Sequence, residues 1–285
     1  MRKVRRGSVF GFISCFVLAG LSPATGHAAA PEQTCPDTVV LAARGSDQNE
    51  DYGEYCGPQV YSEQAEPSNG YEGPNFTALF HQVEQRRPGT MDNVYVLALD
   101  EEEYPANMDL PPLAEDGENI GPIELVQRAV GIVQQRPIHE LMYSVTFGFM
   151  DSVRSGMINA PRVVGEYEAT TGCNPNYVVA GFSQGALVTT SVEKYLANTG
   201  RLKGAVSIGN PLHKYPWVME RASLPEGKRV DYCLNGDFVC DFSLEAASDA
   251  LSTKAEVHAS YFLNEPTAQD IRVIDAVAGL LNSAD

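Results

Sequence analysis

The run Tyr177-Val178-Val179-Ala180-Gly181-Phe182-Ser183-Gln184-Gly185 decides the architecture of this chain. Tyr177 to Ala180 is short, apolar and rich in β-branched residues, the pattern of a buried strand. Gln184 to Asn198 then reads as a helix closed by Gly200. The Gly-x-Ser-x-Gly at the junction is a strand-to-helix turn so tight that the flanking positions must lack side chains. It lifts the serine hydroxyl above the sheet edge in a strained conformation, which makes Ser183 a candidate nucleophile. Its place between a strand and a helix separates it from an ordinary Gly-Ser turn.

Working outward, the same alternation repeats. Thr38 to Ala42 is a buried-strand pattern opening into Arg44-Gly45-Ser46, and a helix is expected near Pro74 to Gln85. Val94 to Leu99 is a second strand on the N-terminal side. Asn159 is placed to cap a helix that Gly172 ends. Beyond the central helix come strands at Gly204 to Ile208 and Arg229 to Cys233, and a last helix at Ala268 to Asn282. Strands alternating with helices predict an α/β domain, a mainly parallel sheet with helices on both faces.

Two stretches fall outside that domain or elaborate it. Residues 1–28 combine Arg2, Lys3, Arg5 and Arg6 with an apolar run from Val9 to Leu21 and small residues at Ala28 to Ala30, the pattern of a secretory signal peptide. The apolar run is too short for a membrane span of about 20 residues, so no stable membrane anchor is expected. The remainder, 31–285, parses as one domain with an inserted segment at about 107–150. In it Pro122 starts a helix with Ile123, Val126, Val130 and Val133 at helical spacing, and Leu141 to Met150 is apolar. A cap over the site and an extra helical layer on the sheet are both open readings of this insertion.

The formal net charge is −17, and the first thirty residues hold four basic and no acidic side chains, so the rest is more negative still. Such a surface repels nucleic acid and anionic headgroups and suits neutral or hydrophobic substrates. Past the leader lie Cys35, Cys56, Cys173, Cys233 and Cys240, without a CxxC pair or HExxH helix, so no metal site is expected and export makes disulfides the default.

A serine hydroxyl is a poor nucleophile until an imidazole takes its proton. In a sheet-edge hydrolase the order along the chain is Ser, then acid, then His. His213 and His258 are the histidines that follow Ser183. The carboxylate between Ser183 and His213 is Glu193, inside the helix after the nucleophile, whereas Asp231, Asp237, Asp241 and Asp249 all precede His258. His258 is therefore the expected general base. His81 and His139 precede the serine and read as ordinary residues. Asp237, inside Cys233-Leu-Asn-Gly-Asp-Phe-Val-Cys240 just after a strand, is the expected orienting acid, with Asp241 as its rival. A bond between those two cysteines would hold the carboxylate in place. Attack on an ester makes an oxyanion that needs preorganised donors. Gln184 offers its backbone N–H at a helix start, and the Gly45-Ser46 loop is the candidate for the second donor.

Taken in order, Cys35 before Ala43-Arg44-Gly45-Ser46, Cys173 ten residues before Ser183, Cys233 to Cys240 around Asp237, and His258-Ala-Ser-Tyr261 resemble the cutinase family, including the cutinase-like esterases of actinobacteria. The resemblance covers roughly the first third after the leader and everything past about Met157. It implies an α/β-hydrolase three-layer sandwich, a triad of Ser183, Asp237 and His258, and an oxyanion hole at Ser46 and Gln184. It also implies disulfides Cys35–Cys173 and Cys233–Cys240, leaving Cys56 as a free or intermolecular thiol. The implied protein is a secreted, extracellular or envelope-associated esterase that needs no cofactor and acts on short to medium acyl esters or polyesters. Lipase, phospholipase, thioesterase and acetylxylan esterase use the same triad, and a non-catalytic surface-binding protein is the rival of another class. The resemblance leaves the oligomeric state open.

Overall fold

A computed structural model of the chain describes residues 34–49, 57–107, 138–237, 239–241 and 257–282, with side chains from 148 onward in the long helix. The leader, Cys56, the Pro122 helix and Asp249 lie outside them. The elements in order are β1 (Thr38–Ala43), α1 (Pro74–Arg86), β2 (Val94–Ala98), α2 (Ile138–Thr171), β3 (Asn176–Phe182), α3 (Gln184–Asn198), β4 (Leu202–Ile208), β5 (Arg229–Tyr232) and α4 (Ala268–Asn282). All belong to one compact unit, Cys35–Asp285.

The strands form a five-stranded sheet in the order β2-β1-β3-β4-β5, and every neighbouring pair is parallel. Strand side chains alternate between faces. In β1, Val40 and Ala42 join Phe76, Leu79 and Phe80 of α1 and Ile274, Val277 and Leu281 of α4 in one buried cluster. Val39, Leu41 and Ala43 join Val153, Ala160 and Val164 of α2 and Val188, Val192 and Leu196 of α3 in the other. Helices thus cover both faces, which is why these strands read as unbroken apolar runs. The chain moves outward from β1 to β2 on one side and from β3 to β5 on the other. The loops after β1 and β3 therefore open side by side at the C-terminal edge, the switch point where such sheets place their sites.

Two local devices fix the helical layers. Thr267 caps α4: the Asp270 amide donates to Thr267 Oγ1 at 3.2 Å, and the Thr267 amide to Asp270 Oδ2 at 2.8 Å. α2 departs from the expectation that Asn159 caps it. The helix starts at Ile138, and Asn159 lies inside it, its amide donating to Glu103 O at 2.9 Å. Phe149, Val153, Met157, Ala160, Val164 and Tyr167 recur every three or four residues against the α2–α3 core, so burial of one continuous stripe outweighs the local cap signal. Pro161 sits within the same helix and cannot donate to the carbonyl four residues back. That carbonyl, Met157 O, instead accepts from Ser191 Oγ of α3 at 2.8 Å. Residues 138–150 of the expected insertion are thus the opening turns of a sheet-covering helix.

The bond Cys35–Cys173 joins the segments leading into β1 and β3 at the edge opposite the switch point. It spans 138 residues, and closing a loop of that size removes about 4–5 kcal/mol of unfolded-chain entropy. Cys233–Cys240 is the second disulfide.

Candidate active site

Ser183 has φ 52° and ψ −119°, a positive φ that is unfavourable for a residue with a side chain. Its amide donates to Ile208 O of β4 at 2.8 Å, tying the turn to the neighbouring strand. A Cβ at Gly181 would come within 2.5 Å of Ala186 Cα, and one at Gly185 would collide with the carbonyls of Ala43 and Arg44. Both glycines are thus required by close backbone approach, which packs α3 directly beneath the loop after β1.

Ser183 Oγ lies 2.8 Å from His258 Nε2, and His258 Nδ1 lies 2.8 Å from Asp237 Oδ2. A carboxylate only accepts, so Nδ1 carries the hydrogen and Nε2 is left to accept from the serine hydroxyl. The imidazole stacks on Phe182 with ring centroids 5.2 Å apart. Gly209 supplies its room, since a Cβ there would sit 2.8 Å from His258 Cε1.

Asp237 is fully buried. Oδ1 accepts from the Val239 amide at 2.8 Å, and Oδ2 accepts from Tyr261 Oη at 2.7 Å as well as from the imidazole. Burial pushes the carboxyl up, but the hydrogen bond and charge of His258, with help from Tyr261 and Val239, outweigh it and hold the group below its ordinary value. Burial and the adjacent carboxylate push the Tyr261 phenol upward, so it remains a donor. Asp241 forms an ion pair with Lys214, and Asp231 pairs with His213 and Arg221. His81 faces Gln59.

Ser46 stands at the mouth of the same edge, with its Oγ buried and without a hydrogen-bond partner. Gln184 opens α3, so its N–H has no partner within the helix. The Gln184 side chain is fully committed: Oε1 accepts from Tyr104 Oη at 2.8 Å, and Nε2 donates to Asn107 O at 3.2 Å and Phe149 O at 3.3 Å. Asn107 and Phe149, far apart in sequence, are thereby both tied to the residue after Ser183.

Sequence reasoning assigned no role to Arg44 or Tyr261, although both lie in quoted motifs. Arg44 is buried, and its guanidinium donates to Asn49 Oδ1 at 2.6 Å, Leu99 O at 2.6 Å and Tyr104 O at 2.8 Å. It ties the loops after β1 and β2 together, and burial lowers its pKa. A polar cleft of about 580 Å³ lined by Asp37, Asp92 and Lys203 opens at the opposite edge of the sheet. It includes none of Ser183, His258 or Asp237, so the chemistry of the side chains, not cavity size, marks the site.

A family model described as Cutinase matches residues 124–273, just over half of the chain. The match begins inside the inserted segment and leaves out Ala43 to Ser46, so its span differs from the coverage expected from the motifs. No curated protein matches the sequence. Similar solved structures include a Trichoderma reesei cutinase in complex with a phosphonate inhibitor, at 18% identity and a TM-score of 0.45 over 87% of this chain and 78% of that one. An acetylxylan esterase aligns at 14% identity and a TM-score of 0.44 over 87% of this chain and 100% of that one. A cutinase-like protein from Cryptococcus sp. aligns at 17% identity and a TM-score of 0.40 over 90% and 100%.

Proposed function

The chain belongs to the cutinase family and is a carboxylic ester hydrolase, and from this premise we propose that it works through an acyl-enzyme on Ser183, with His258 as general base and Asp237 orienting the base. The observation that carries the reading is the unbroken run of two 2.8 Å contacts from Ser183 Oγ through the imidazole to a buried carboxylate. In acylation, Ser183 Oγ bonds to the ester carbonyl carbon while its proton passes to His258 Nε2. The carbonyl π pair becomes an oxyanion, received by Ser46 and the Gln184 N–H, with the positive end of α3 behind it. The intermediate then collapses: the C–O bond to the alcohol breaks and His258 returns the proton to the leaving oxygen. Water repeats the cycle on the acyl-enzyme, releasing the acid and restoring Ser183. Asp237 keeps its charge throughout and stabilises the imidazolium.

The orphaned Ser46 hydroxyl supports its role, because a preorganised donor must not be spent on the protein before substrate arrives. Substrates in this reading are neutral short to medium acyl esters or polyesters such as cutin, in keeping with the acidic chain. We further propose that the protein is exported. Support comes from the basic-apolar-small leader pattern and the two disulfides. Among the described residues, no helix is long and apolar enough to cross a membrane.

A chain-length panel of p-nitrophenyl esters, run on wild type and Ser183→Ala, tests this function. Turnover in wild type that peaks at short to medium chains and vanishes in the variant is the expected result. No turnover in either protein overturns it.

A further inference from the structure

The oxyanion loop and the histidine loop come from opposite ends of the chain, yet a row of amides joins them. The Gly45 N–H donates to Gln48 Oε1 at 2.9 Å. Gln48 Nε2 donates to Asn75 Oδ1 at 2.7 Å. Asn75 Nδ2 then donates to both Ala259 O and Tyr261 O, each at 2.9 Å. Asn75 sits in the first turn of α1 and is 2% exposed, so its amide is held on a rigid element. Its two acceptors flank Ser260, one and three residues past His258.

The polarity of this row is determined at each link. Turning over the Asn75 amide would set its NH2 against that of Gln48 and its oxygen against two carbonyls. Turning over Gln48 would face two donors at Gly45 and two acceptors at Asn75. Successive amides in such a row also polarise one another. Gly73 gives the Gln48 side chain its room, since a Cβ there would sit 2.8 Å from Gln48 Oε1. The row spends Gly45's N–H and leaves the Ser46 hydroxyl unspent, so it holds the loop without using the groups that would face an oxyanion.

We propose that Gln48 and Asn75 are positioning residues, a two-amide brace that sets the separation between the Ser46 loop and the His258 loop and so aligns oxyanion hole and base on one transition state. This rests on the serine-esterase reading above. Arg44 and the Asp47 amide hold the Ser46 loop to the segment after β2, whereas the amide row connects it to the loop of a histidine more than two hundred residues away in sequence. Misplacement of a catalytic group by about 1 Å costs up to about 100-fold in rate.

The test is a cycle of wild type, Gln48→Met, Ser46→Ala and the double variant, with kcat and KM on one p-nitrophenyl ester. Each protein is also titrated with an aryl trifluoromethyl ketone. That probe adds Ser183 oxygen to its carbonyl carbon, passes the serine proton to His258 and leaves an oxyanion, so its affinity reads the hole directly. The brace predicts kcat about 10-fold lower in Gln48→Met with KM within about twofold, and ketone affinity lowered by a similar factor. In the Ser46→Ala background the same change costs less than about threefold. An equal loss in both backgrounds overturns the proposal, as does a folded Gln48→Met variant with wild-type kcat and ketone affinity. Gln48→Glu keeps the acceptor for Gly45 but removes the donor to Asn75, so it serves if the methionine variant does not fold, and the same losses are expected. An inactive wild type overturns the esterase mechanism and the brace together, whereas an active wild type with unaffected variants overturns the brace alone.

Discussion

His258 meets Asp237 at 2.8 Å and His213 meets Asp231 at 2.7 Å, yet the two pairs have different surroundings. Asp237 is fully buried and receives three donors, from His258, Tyr261 and the Val239 amide. Its histidine has a second contact, the Ser183 hydroxyl. Asp231 divides its charge between His213 and Arg221, and the His213 and Asp231 side chains are 33% and 21% exposed. An aspartate beside an imidazole is therefore not in itself a site. What sets the first pair apart is a serine hydroxyl on the far nitrogen and a fully buried carboxylate held by three donors.

The comparison breaks most sharply at His258. His258→Ala should lower kcat/KM on a p-nitrophenyl ester by about 10⁴–10⁶-fold, with the thermal unfolding midpoint little changed. A folded variant that keeps more than about a tenth of wild-type turnover would return the two pairs to equal standing.

Next come the carboxylates. Asp237→Asn should cost about 10⁴-fold in kcat by presenting the wrong tautomer of the imidazole to Ser183. Asp231→Asn should change kcat by less than about threefold, and comparable losses in the two variants would dissolve the distinction.

Tyr261→Phe gives a smaller effect, a loss of about 3- to 10-fold in kcat, read from a pH–rate profile. The folded Asp237 carboxyl lies below its ordinary value. Its charged form thus contributes stability that is complete above the unfolded value near 3.9 and is lost as pH falls through the folded one. Removing the phenol donor raises the folded value, so acid unfolding, followed by circular dichroism, should set in at a higher pH than in wild type. An unshifted acid-unfolding transition would mean that the Tyr261 contact does not tune the carboxylate.

The smallest effect belongs to His213→Asn. kcat/KM should stay within about twofold, and stability should drop by no more than about 1 kcal/mol in a urea titration, as for a partly exposed side-chain hydrogen bond. A large kinetic loss here would give the second pair a role in turnover.

Legibility in the sequence followed the range of the interactions. β1 and β3, the helix Gln184 to Asn198 and the helix Ala268 to Asn282 were readable because their apolar residues must repeat at the period of the element. Ser183 was readable because its turn is local, with Gly181 and Gly185 required within two residues on either side. His258 came from chain order, a rule about topology, and Asp237 from its place between Cys233 and Cys240 just after a strand; the imidazole contacts both Ser183 and Asp237. The start of α2 was misread at Asn159, because a good cap residue is also a good donor to a distant carbonyl, here Glu103 O. Arg44, Asn75 and Tyr261 stayed unassigned. Their partners lie 24 to 186 residues away, apart from Asn49 in the Arg44 loop, and no local spacing announces such contacts.

By itself the sequence determined an α/β chain with a strained serine at a strand-to-helix turn, because backbone sterics and apolar periodicity act over a few residues. Only the tertiary structure decided that Asp231 pairs with His213, that the Ser46 hydroxyl is buried without a partner, and that Gln48 and Asn75 span the gap between two loops. Those are outcomes of packing order. The β2-β1-β3-β4-β5 arrangement brings remote loops to one edge, and only there do hydrogen-bond angles and burial select the partners.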